Sequence, residues 1–174
     1  MNQSLQSTSE DYLVAWLAAL AITIHIAESA LPSPLPGVKP GLANVVTLAT
    51  LCLFGWRMAL WVSVLRVLVG SLLIGTFLSP TFAMSSVGAA CSLLLLGCLK
   101  WWSDTLPAWG FSPTGLGVAA AMAHMMGQFW TAYILFVPHQ AILHLLPVLM
   151  TAALIFGLAS GAITAIVVQR VKGV

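Results

Sequence analysis

Long apolar runs, divided by short clusters of proline, glycine and charge, pattern this chain from end to end. A hydrocarbon core of about 30 Å is crossed by roughly 20 helical residues. Six runs approach that length: residues 12–30, 41–56, 58–77, 81–100, 114–136 and 141–168. The second is short; the sixth is long and has Pro147 near its start. Lipid cannot satisfy exposed backbone N–H and C=O groups, so each run is expected to be a continuous helix. The pattern predicts an all-α polytopic membrane protein with six transmembrane helices in a single integral membrane domain.

Composition narrows the picture further. Of 174 residues, 60% are hydrophobic and only 6% are charged, and the mean hydropathy is +1.04. Soluble domains carry about a quarter charged residues, and one of this length could not hide so much apolar surface. A formal net charge of +2 gives no grip on nucleic acid. Cys52, Cys91 and Cys98 all lie inside apolar runs, which reads as packing rather than as a disulfide framework. The N-terminal "MNQSLQSTSEDY" has no basic region, and the run after it is too long for a signal peptide. The first segment is therefore expected to stay and span.

Six spans place both termini on one side. With the N-terminus inside, Arg57, Lys100, Arg170 and Lys172 fall on the inner face and Lys39 alone on the outer, as the positive-inside rule prefers. Trp56, Trp61, Trp101, Trp102 and Trp109 then gather at the inner interface like an aromatic belt. The expected location is a bacterial inner membrane, with both termini cytoplasmic. The longest connection, 101–113, is then cytoplasmic, and the proline-rich "LPSPLPGVKPGLAN" at 31–44 faces outward as a lid.

Ionisable side chains at membrane depth cost roughly 2.5–3.5 kcal/mol each even on lenient scales, so each needs a reason. His25 and Glu28 share a face near the outer end of the first run, and Asn44 lies just inside the second. Arg66 is near the middle of the third, with Ser63 and Gly70 on its face. Ser85 and Ser86 occupy the outer part of the fourth, and His124 and Gln128, one turn apart, the outer half of the fifth. Nearly all belong to one half of the bilayer, which suggests a polar pocket opening outward. Each residue also has a structural reading. Glu28 could snorkel, Asn44 could cap its helix or act as interhelical glue, His25 could be a packing residue, and Arg66 could pair internally with Glu28. With Arg66 and Lys39 facing the pocket against Glu28 alone, the site would be net positive and suited to a carboxylate or phosphate.

Other chemistry finds little support. His124, His139 and His144 could approach one another, but no metal-binding spacing accompanies them. No nucleophile elbow, P-loop or acid pair occurs, and Asp11 and Asp104 are the only aspartates. An aspartate-rich Mg²⁺–diphosphate site is thus missing. No catalytic residue, metal or cofactor is expected. Small residues recur at i, i+4 as Ala15 and Ala19 in the first run and as Gly157 and Gly161 in the sixth. Such faces allow close helix approach, either internally or to another membrane subunit.

The segments "LPGVKPGLANVVTL" (35–48), "SVLRVLVGSLLIGTFLSPTFAMS" (63–85) and "AHMMGQ" (123–128) resemble the membrane family labelled heptaprenyl diphosphate synthase component I, also called the Gx transporter family. That family is in turn similar to the substrate-binding (S) components of energy-coupling-factor transporters. The resemblance implies a six-helix importer subunit with an outward-opening, loop-lidded site for a micronutrient, completed by a transmembrane partner with ATPases. It implies that the Ala15 and Ala19 stripe docks that partner, and that lid closure brings Lys39 over an anionic ligand. Metal-type S components carry a histidine beside the initiator methionine, where this chain has Asn2.

The expectation is an importer subunit for a small anionic or isoprenoid-related compound. Arg66, Lys39, Glu28, Asn44, His124 and Gln128 would line its site; its partners would be this ligand, the lipid bilayer and a coupling subunit, not nucleic acid. The alternative is a membrane partner of an isoprenoid or quinone biosynthetic enzyme.

Overall fold

The computed structural model describes residues 9–30, 41–106 and 110–173. The six apolar runs form six α-helices: α1 (Ser9–Ala30), α2 (Leu42–Phe54), α3 (Trp56–Ile74), α4 (Pro80–Thr105), α5 (Pro113–Thr131) and α6 (Leu146–Lys172). No strand occurs among the described residues, so the protein is an all-α bundle of the membrane type. Helices α1, α3, α4 and α6, the last taken with the turn before it, are long and apolar enough to cross a bilayer unaided. Helix α2 is apolar but has only 13 residues. The run of α5 contains His124 and Gln128, which dilute its apolarity.

Local chemistry sets the boundaries. Gly55, at φ 92°, ends α2 and opens α3 as the single residue between them. Its positive φ makes glycine the natural choice, and its N–H closes on the carbonyls of Leu51 and Thr50. Gly75 ends α3 in the left-handed conformation. Ser79 then starts α4 by accepting a hydrogen bond from the Phe82 N–H, with Pro80 at the first helical position. The apolar runs of α5 and α6 are not continuous α-helix. A π-helical turn, Ala132–Phe136, prolongs α5, and a 3₁₀ turn, Gln140–Leu145, precedes α6, whose first turn contains Pro147.

Around the bundle the packing order is α1, α3, α4, α5, α6 and α2, with α2 also against α3 and α5. The tightest seam joins α5 to α6. A Cβ on Gly117 would stand 2.6 Å from the Gly161 Cα and 2.8 Å from the Gly157 carbonyl oxygen. The small residues of α6 thus serve internal packing, whereas Ala15 and Ala19 on α1 are exposed beside Trp16 and Leu20. The core lies toward the end of the bundle where α3 begins and α4 finishes. Leu48, Leu51, Ala59, Leu96, Leu116 and Ala120 meet there with Trp56 against them, and Trp56 lies over the bare backbone of Gly97. Trp61, Trp101 and Trp102 are exposed toward the same end, and Lys100 pairs with Asp104 one turn along α4.

Candidate functional site

The opposite half of the bundle is hollow. A cavity of about 420 Å³ is lined from all six helices, including His25 and Glu28 of α1, Asn44 of α2, Arg66 of α3, Ser85 of α4, His124 and Gln128 of α5, and Ser160 of α6. This volume falls in the range of small-molecule pockets. Five of the six residues singled out for a site line this one space. The sixth, Lys39, lies outside the described residues, as do residues 31–40 of the segment expected to form a lid, whose last three residues, 42–44, instead begin α2.

Arg66 is the only lysine or arginine among the described lining residues, and Glu28 the only carboxylate. The two are within electrostatic reach but form no direct ion pair. Arg66, 6% exposed, donates from Nη1 to the Asn44 Oδ1 at 2.7 Å. A guanidinium has five N–H donors, and this is the single hydrogen bond that Arg66 makes among the described residues. Accepting that bond fixes the Asn44 amide so that its NH₂ group is left as a donor. Asn44 is thus not a helix cap: its side chain ties α2 to α3 and anchors the cation.

Glu28 has a different task. One carboxylate oxygen accepts from the Leu42 N–H, and the other accepts from the Ala43 N–H at 3.4 Å. Helix α2 starts at Gly41 with no side-chain cap of its own, so α1 supplies the cap across the bundle. The first N–H groups of a helix lack internal partners and carry partial positive charge, which suits a carboxylate there. Glu28 is buried, 4% exposed, and does not snorkel. Its charge is engaged by backbone rather than offered to the cavity.

Glycines admit the remaining polar groups. Gly70 leaves room for the His25 ring, 3.1 Å from where a Cβ would be. Gly88 of α4 leaves room for Gln128 and His124, whose atoms would lie 2.7–3.1 Å from its Cβ. His124 is within electrostatic reach of Arg66 and His25, and its Nδ1 is shielded with no hydrogen-bond partner among the described residues. Ser86 turns away to bond the Phe82 carbonyl. Val67, Ile74, Phe82, Met84, Met125 and Phe156 form apolar walls. Sequence reasoning missed these walls because nothing separates them from lipid-facing residues of the same kind.

No group of three or more His, Cys, Asp or Glu side chains able to hold a metal occurs among the described residues. His139 instead uses its Nδ1 to accept from the Ala141 N–H at the 3₁₀ turn. The arrangement can bind: one cation, two amides and two imidazoles converge on a mostly apolar space.

Comparison with curated proteins and with solved structures gives no match to the chain. A family model does match, over residues 17–167, and it spans every cavity-lining residue named above. The chain belongs to the heptaprenyl diphosphate synthase component I family.

Proposed function

We propose that this protein is the ligand-binding membrane subunit of an importer, taking a small anionic molecule into the six-helix cavity. The observation that carries this reading is Arg66. A buried guanidinium at membrane depth costs roughly 2.5–3.5 kcal/mol, and its one hydrogen bond among the described residues is to a neutral amide. A ligand that brings the counter-charge turns that cost into selective binding. Asn44, His124 and Gln128 would complete the contacts, while Glu28 would act by holding α1 to the start of α2. Lys39, in the connection between α1 and α2, would add positive charge at the mouth rather than among the lining residues.

The cavity would open to the outside. Arg57, Lys100, Arg170 and Lys172 belong to the opposite end of the bundle, where the positive-inside rule places the cytoplasm. With no nucleotide-binding motif in the chain, energy would come from a transmembrane partner with ATPases, as in energy-coupling-factor transporters. The exposed Ala15 and Ala19 stripe on α1 would be its docking face.

Native mass spectrometry of the gently extracted protein tests this reading. Wild type should retain a bound small molecule that Arg66→Gln loses at equal folded yield. An empty wild-type protein, or equal retention by both, would overturn it.

A second reading rests on the family description, which names a synthase component: a membrane partner of a prenyl diphosphate enzyme. It predicts that adding this protein to a soluble prenyl synthase raises chain elongation. The importer reading predicts no change.

A further inference from the structure

We infer that the cavity selects a singly charged anion on an apolar frame, a monocarboxylate, and rejects diphosphates. This rests on the cavity being the binding site and concerns which anion it accepts. The argument begins with charge. Arg66 contributes one full positive charge. Glu28 contributes one negative charge, but both its oxygens accept from the first N–H groups of α2, where the helix end carries about half a positive charge. The fixed charge that the described lining residues place around the space is therefore about half a unit positive. One carboxylate nearly balances it. A diphosphate would leave several negative charges uncompensated between largely apolar walls, where unpaired charge is costly.

Donor geometry agrees. Among the described residues the other N–H groups of Arg66 and the NH₂ of Asn44 have no hydrogen-bond partner. Both residues line the same space and their mutual bond fixes one to the other, and a carboxylate can accept two such donors. A diphosphate commonly arrives with Mg²⁺, held by one or two protein carboxylates together with the phosphates. Glu28, the only carboxylate among the described lining residues, is already taken by backbone. The walls then set the rest of the ligand. Val67, Ile74, Phe82, Met84 and Phe156 surround the polar cluster with hydrocarbon, so the body of the ligand is apolar. The volume equals the liquid space of roughly fourteen waters, which suits a compact acid and not a long polyprenyl chain.

Thermal unfolding of the full chain in lipid nanodiscs, followed by tryptophan fluorescence, tests the selection with three probes: hexanoate, hexanol and geranyl diphosphate with Mg²⁺. Hexanoate should raise the midpoint saturably; hexanol and geranyl diphosphate should not. Arg66→Gln should weaken hexanoate about 10- to 100-fold, the loss expected for a hydrogen bond to a charged group. Arg66→Lys, which keeps the charge without the fork, should weaken it less and guards against a misfolded Gln variant. Stabilisation by geranyl diphosphate equal to or above that by hexanoate would overturn the selection and leave the binding cavity standing. Hexanol matching hexanoate would overturn it as well. No stabilisation by any probe would overturn the selection, and if native mass spectrometry also found no bound molecule, the cavity's binding role would fall with it.

Discussion

The two halves of this bundle solve opposite problems with the same six helices. Toward the start of α3, small and branched residues close the interior, with Leu48, Leu51 and Leu96 almost fully buried and Gly117 against Gly161. Toward the end of α3, the helices leave a cavity and line it with the charged and amide side chains. In lipid, apolar burial adds little to helix association, and packing with interhelical hydrogen bonds does more. The closed half should therefore supply most of the stability. The hollow half is crossed by polar bonds, Glu28 to α2 and Arg66 to Asn44, and leaves space that a ligand could fill.

Substitutions that confuse the two halves should have the largest effects. Gly117→Val forces a side chain into the backbone of α6, which cannot yield as a flexible side chain can. Its cost should exceed the ~1–3 kcal/mol of ordinary overpacking, read as a loss of folded, extractable protein or a steep fall in unfolding temperature. Leu48→Ala should also destabilise, near the lower end of the ~2–5 kcal/mol known for buried leucines in water, because lipid removes part of the transfer term.

The hollow half should respond in a different currency. Arg66→Gln should reduce ligand retention about 10- to 100-fold while leaving unfolding temperature unchanged or higher, since a buried charge is removed. A large fall in stability would place Arg66 among the structural residues instead. Glu28→Ala strips the cap from α2 and should cost ~0.5–2 kcal/mol, the usual range for a lost N-cap, measured by thermal unfolding. Glu28→Gln keeps an acceptor and should recover part of that loss. Smallest of all, Lys100→Ala should change stability by no more than a few tenths of a kcal/mol, because its pairing with Asp104 is solvent-exposed.

Much of the division was legible before any coordinates. Hydropathy located all six helices, because each apolar run reports its own burial in lipid. Arg66, Asn44, His124 and Gln128 could be assigned to one half since depth follows from position along a span. Their partners could not. Whether Arg66 meets Glu28 or Asn44 depends on the rotation of α1, α2 and α3 about their axes, which no local pattern encodes. The role of Glu28 left one faint trace: "PGLAN" begins a helix with no capping side chain, so a cap from elsewhere was needed. The π-turn after Thr131 and the 3₁₀ turn before Leu146 were hidden inside continuous apolar runs. Ser160, deep in α6 and bonded to the Gly157 carbonyl, gave no sign that it borders the cavity.

The most direct measurement of the division is cysteine accessibility in membranes, on a chain whose Cys52, Cys91 and Cys98 are replaced. Single substitutions Asn44→Cys and Ser85→Cys probe the cavity, and Leu48→Cys, one turn along α2 from Asn44, probes the closed half. A membrane-impermeant maleimide should modify the first two from one side of the bilayer and leave the third untouched. Labelling of Leu48→Cys at a comparable rate, or silence at both cavity positions, would contradict a bundle that is hollow at one end and sealed at the other.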